Sequence, residues 1–140
     1  MSVATTIPCT VEHICDNGRP LACIVHAAHQ PRSTQFITPD NWDQQVGFVV
    51  YPAGGTIARH VHLPIERRLV GTSEVLVVRK GRCEVDLFDE QGMLVVTREL
   101  RTGDVLILVA GGHGFRMLED TVLLEVKQGP YTGLSEKDYF

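Results

Sequence analysis

The sequence predicts an all-β domain, a sandwich or a barrel, and three observations carry that prediction. Short runs of aliphatic, β-branched and aromatic residues recur along the chain, about ten in number. Clusters of Gly, Pro, Asn and Asp separate them at intervals of about 8–12 residues, the spacing of short strands joined by turns. No stretch shows the 3.6-residue periodicity of an amphipathic helix.

Residues 1–10 carry no periodicity and are expected to form an extended arm. Val11–Cys15 and Leu21–His26 are β-prone, and Asp16-Asn17-Gly18-Arg19-Pro20 between them is dense in turn formers, so the two read as a hairpin. A polar passage from His29 leads to a brief strand at Gln35–Thr38, and Pro39–Asp43 is compatible with one helical turn. From Val46 the pattern becomes regular. Val46–Tyr51 is a strand stopped by Pro52-Ala53-Gly54-Gly55, Thr56–His62 is the next, and Leu63–Ser73 is an irregular loop.

Glu74–Val78 runs into a tight turn at Arg79–Arg82. Cys83–Phe88 then alternates strictly, with Glu84 and Asp86 on one face and Val85 and Leu87 on the other. Asp89–Gly92 turns into Met93–Leu100, and Thr102-Gly103-Asp104 turns into Val105–Ala110. The glycine-flanked His113 precedes Phe115–Leu118, and Glu119-Asp120 precedes Thr121–Lys127. Residues 1–45 are thus expected to pack as arm and strands on a barrel of residues 46–128, with a tail at 129–140, as one domain. Residues 75–78 and 105–110 are apolar on both faces, which asks for cover on both sides. A homodimer through an apolar sheet face is the expectation.

The bulk numbers fit this reading. A chain of 140 residues with 44% hydrophobic content supports one domain with a proper core. Its formal charge of −4 offers no basic footprint for nucleic acid or a membrane surface. No apolar run approaches the ~20 residues that span a bilayer. The first residues lack the basic and apolar regions of a secretory signal, so a cytoplasmic location is expected. The four cysteines contain no C-x-x-C pair and are expected to be reduced, partly buried thiols.

The chemistry concentrates around His60-Val61-His62. On a strand, residues two apart share a face, so both imidazoles can reach one point. Glu74 heads the following apolar run, and His113 lies downstream between two glycines. Imidazole nitrogens with one carboxylate oxygen suit a divalent transition ion such as Zn, Ni, Fe or Mn. Each residue also has a plainer reading: His60 and His62 as a surface pair, Glu74 as the cap of a strand, His113 as a turn residue. Glu66 is the competing carboxylate.

This spacing resembles the cupin superfamily. Gly54, His60, His62, Glu74 and Gly81 match its first motif except between His62 and Glu74, where eleven residues stand in place of three or four. Gly103, Gly111 and His113 match the second motif loosely, with Val109 and Met117 at its proline and asparagine positions. The resemblance covers residues 46–128. It implies a jelly-roll barrel, the double-stranded β-helix, with His60, His62, Glu74 and His113 as metal ligands.

Around these, Glu66 and Tyr51 are candidate catalytic groups. Arg59, Arg67, Arg68 and Phe115 are candidate substrate contacts, against a plainer reading as solvated charges and core. The ligand is expected to be a small polar metabolite. Three functions stay open: a metal-dependent isomerase or epimerase of a sugar-like substrate, an iron-dependent dioxygenase, and a non-catalytic small-molecule sensor.

Overall fold

The computed structural model describes residues 9–140, and among these the chain forms ten strands and no helix. Residues 1–8 of the expected arm lie outside the described residues. The strands are β1 (Val11–Asp16), β2 (Arg19–Val25), β3 (Gln35–Phe36), β4 (Gly47–Phe48), β5 (Glu74–Lys80), β6 (Arg82–Phe88), β7 (Leu94–Arg101), β8 (Val105–Leu108), β9 (Gly112–Met117) and β10 (Val122–Lys127). They fall into two units. One comprises the chain up to His29 together with Thr72–Phe140, and the other is Gln30–Gly71.

In the first unit, β1-β2-β8-β5-β10 form one antiparallel sheet and β7-β6-β9 a second. The β1–β2 hairpin closes on Asn17-Gly18, both at positive φ (48° and 78°), the two-residue turn whose twist matches its strands. The core joins the inward faces of both sheets. Ile14, Ala22, Ile24, Leu76, Val78, Leu106 and Leu108 of the larger sheet pack with Cys83, Val85, Leu87 and Leu100 of the smaller. Strict alternation in β6 makes this possible, with Val85 and Leu87 fully buried. Each such side chain removed from water stabilises the fold by about 1.5–3 kcal/mol.

The outward residues of β6 are charged and paired. Glu84 meets Arg116 across β9, and Glu99 of β7 receives Arg82 at 3.1 Å and Arg101 at 3.0 Å. On β2, β5 and β8 both faces are buried, Cys23, Val75 and Ile107 on one and Ile24, Leu76 and Leu106 on the other. That accounts for the runs that are apolar throughout.

Two devices hold the ends of the sheets. At one side, the edge strands β1 and β7 are tied by Arg98 to Glu12 (Nη2 to Oε1 2.7 Å). At the turn into β8, buried Asp104 accepts the Ala27 N–H on Oδ1 and the Arg101 N–H on Oδ2, each at 2.8 Å. Two glycines are required by their backbone. Gly81, between β5 and β6, has φ +89° and a Cβ there would strike the Asp120 carbonyl oxygen. Gly111, before β9, has φ +70° and a Cβ would strike the Phe88 carbonyl oxygen.

The second unit is mostly irregular. β3 pairs with β4 over two residues each. Buried Thr38 accepts the Val46 N–H at 3.0 Å and donates to Gln45 at 3.3 Å. The expected helical turn at Pro39 is a bend closed by Trp42 N–H to Pro39 O (3.1 Å), because Gln45 spans it from the side. The expected strand Val46–Tyr51 shrinks to Gly47–Phe48. The expected strand Thr56–His62 is absent: those residues have no ladder partner, and residues 51–72 are exposed throughout. Alternation provides a face, but a strand also needs a neighbouring row of N–H and C=O groups to pair with.

Candidate metal centre

In the first unit, the structure brings Glu74 and His113 together. Glu74 is the first residue of β5 and shares its face with Leu76 and Val78, so its side chain points to the inner side of the larger sheet. His113 lies inside β9, opposite Leu87, with Phe115 next on the same face. Its expected position ahead of the strand is therefore corrected: β9 begins at Gly112, because the Cys83–Phe88 ladder continues to that residue. The two groups meet between the sheets, His113 Nε2 to Glu74 Oε2 at 3.3 Å, with the carboxylate side chain 12% exposed and the imidazole 34%.

The surroundings are partly apolar. Phe115 packs against the core and lies edge-on to the His113 ring, with centroids 5.9 Å apart. Lys127 is the register partner of Glu74 across β10, and Lys127 Nζ lies 3.7 Å from Glu125 Oε2. Leu123, Glu125 and Lys127 alternate on the face that carries Leu123 into the core.

In the second unit, His60 and His62 stand beside each other, rings 5.2 Å apart and inclined by 72°. His60 Nδ1 lies 2.8 Å from the Ala58 carbonyl. A carbonyl only accepts, so Nδ1 is the donor in this contact, and in the neutral ring the lone pair then sits on Nε2. A backbone acceptor on one ring nitrogen is the arrangement that orients a metal-binding histidine. The four predicted ligands thus fall as two pairs, one in each unit. Among the described residues, no group of three or more His, Cys, Asp or Glu stands poised for one ion.

Comparison with protein-family models, curated proteins and solved structures gave no match.

The donor chemistry of the Glu74–His113 pair fits a divalent ion. Bonds of roughly 2.0–2.2 Å to nitrogen and oxygen put two ligands of one ion about 3 Å apart, and these two atoms are 3.3 Å apart. Their identity, one imidazole nitrogen and one carboxylate oxygen, suits first-row metals.

The other predicted residues have plainer settings. Tyr51 is 52% exposed, and Arg59, Glu66, Arg67 and Arg68 are exposed in the second unit. Phe115 belongs to the fringe of the core while touching the His113 ring. Sequence reasoning missed Glu125 and Lys127. The alternation of Thr121–Lys127 places Glu125 and Lys127 on one face, but only the β5–β10 register brings Lys127 opposite Glu74.

The cysteines are free thiols, Cys9 and Cys15 exposed, Cys23 and Cys83 buried. Burial, then the neighbouring Cys9 and Glu12, push the Cys23 thiol up to about 11. Among the described residues, no helix is long and apolar enough to cross a membrane.

Proposed function

We propose that the protein is a small metal-binding domain of cupin type that isomerises or epimerises a small, sugar-like metabolite at a single divalent ion. The observation that carries this is the pairing of Glu74 and His113, a largely buried carboxylate and a half-buried imidazole that meet between two sheets. Strand order supports the jelly-roll reading, since β5 to β10 pass between the sheets as larger, smaller, smaller, larger, smaller, larger. Gly54, Gly81, Gly103 and Gly111, the glycines of both motifs, all have positive φ and sit at chain reversals. His60 and His62 enter this reading from the motif spacing, and the His60 ring is oriented by the Ala58 carbonyl.

Bound there, an ion such as Zn, Ni, Fe or Mn supplies polarisation of a substrate carbonyl, which acidifies the adjacent C–H. The chain's own groups do the rest. Phe115 offers an apolar face to the C–H side of a sugar ring, and Lys127 and Glu125 offer a donor and an acceptor to its hydroxyls. From the sequence, Tyr51 and Glu66 are carried as candidate catalytic groups and Arg59, Arg67 and Arg68 as candidate contacts for an anionic substituent.

The test is metal content and proton exchange. Stripped protein is reloaded with Zn, Ni, Mn or Fe(II) in separate samples, and bound metal is counted by mass spectrometry. Wild type is expected to hold one ion per chain. Glu74→Gln, His113→Ala, His60→Ala and His62→Ala should each weaken binding by more than the roughly 10- to 100-fold that loss of a merely supporting group costs. Loaded protein should wash deuterium into the carbon next to the carbonyl of an accepted aldose or ketose. Undiminished metal content in Glu74→Gln and His113→Ala would overturn the site. Metal binding with no wash-in across a sugar panel would overturn the reaction.

A further inference from the structure

The two edges of the five-stranded sheet differ. β1 is blunted: a bulge shifts its register between Ile14 and Cys15, and Arg98 ties its Glu12 to β7. β10 is the other edge, and among the described residues it pairs with β5 alone. Its register shifts only at its start, between Val122 and Leu123, and runs unbroken from Leu123 to Lys127. No proline or glycine interrupts it. Its far side therefore presents a regular row of N–H and C=O groups, the template to which a further strand adds. Its outer face is apolar as well. Val122, Leu124 and Val126 are 52%, 46% and 50% exposed, while Val75, opposite Val126 on β5, is 8% exposed.

A second copy of β10 fits that edge. In an antiparallel pair directly opposed residues share a face, so a two-fold axis normal to the sheet passes through a residue. An axis at Glu125 opposes two like charges, which destabilises a ladder. One at Leu124 sets Glu125 against Leu123, a side chain that packs on the core. One at Val126 sets Glu125 against Lys127 twice, and brings the two Val126 side chains together with Leu124 beside them. Within one strand Lys127 Nζ already lies 3.7 Å from Glu125 Oε2, with side chains 41% and 42% exposed. The strand is thus complementary in charge to its own reverse.

We propose that two copies of the chain join β10 to β10, antiparallel about Val126, and so merge their five-stranded sheets into one. Each Glu125 then faces Lys127 of the other copy, and the Leu124–Val126 stripe is shared. No predicted metal ligand takes part, so the dimer and the metal reading stand or fall separately.

The full chain is followed by sedimentation velocity over a dilution series. Wild type is expected to be a dimer that dissociates on dilution. Glu125→Lys and Lys127→Glu each oppose like charges twice and should raise the dissociation constant roughly 10- to 100-fold. The double variant restores both pairs in reverse and should recover the wild-type value. Thermal melts check that each variant is folded, and a second measurement fixes the register. With Cys9 and Cys15 changed to serine, Val126→Cys should give a disulfide-linked dimer in glutathione buffer, since its two sulfurs meet at the axis, and Leu124→Cys should not. A chain that is monomeric at every concentration, with neither cysteine variant linked, would overturn the dimer. Linkage of Leu124→Cys as readily as Val126→Cys would overturn the register. Single charge variants that dimerise like wild type, or a double variant no better than the singles, would overturn the pairing of Glu125 with Lys127.

Discussion

Asp104 is the carboxylate whose removal the structure prices most directly. It is 6% exposed and takes no part in the Glu74–His113 pair; it binds Ala27 N–H at the end of β2 and Arg101 N–H at the end of β7. Its own carbonyl accepts Val78 N–H at 3.0 Å, so one residue ties three strands of both sheets. Hydrogen bonds to a charged group contribute about 1.5–3 kcal/mol each. Discounted because both donors are only partly buried, Asp104→Ala should cost about 3 kcal/mol. Asp104→Asn, which keeps one acceptor oxygen, should cost about half as much. Urea unfolding followed by circular dichroism reads this as a midpoint shift at constant slope, about 1.5 M for a slope near 2 kcal/mol/M. Metal content should stay at the wild-type level, since this carboxylate is structural. A loss below about 0.5 kcal/mol for the alanine variant, within the range of ordinary surface substitutions, would refute the reasoning.

Three further predictions test the turns and the thiols. Gly81→Ala must hold a left-handed backbone, costing about 1–2 kcal/mol, and must also displace the Asp120 carbonyl. A melting temperature at least about 4 °C lower is expected by calorimetry. Iodoacetamide at pH 8 on folded protein should label Cys9 and Cys15 and spare Cys23 and Cys83 until urea is added, as intact mass would show. The Cys23 thiol is raised in the folded protein from its ordinary 9.0 to about 11. Its contribution to stability is therefore full below about pH 9 and is lost as pH rises from there through about 11. Thermal melts of wild type should show this fall, and Cys23→Val should lessen it; an identical fall in both would count against the assignment.

The all-β class, the β1–β2 turn and the strands from Glu74 onward were legible because they depend on local chemistry. Asn17-Gly18 suits only a tight reversal, and the alternation of Cys83–Phe88 separates a core face from a charged one. Glu74 and His113 stood out as residue types at motif spacing, but their contact did not. It depends on β5 lying in one sheet and β9 in the other, with registers that aim both side chains inward. Thr56–His62 has the composition of a strand and none of its hydrogen bonds, because pairing requires an edge that the segment itself cannot supply.

The tail shows the same division. Nothing in the run from Gly129 to Phe140 distinguishes its last ring from any exposed aromatic. Only the folded chain sets that ring over Gly112 and gives the glycine before His113 a reason to be bare. Sequence alone determined which segments can be strands and which side chains can bind an ion, since both are properties of residue type and short spacing. Tertiary structure decided which of those side chains meet, because meeting depends on register and sheet order across residues far apart in the chain.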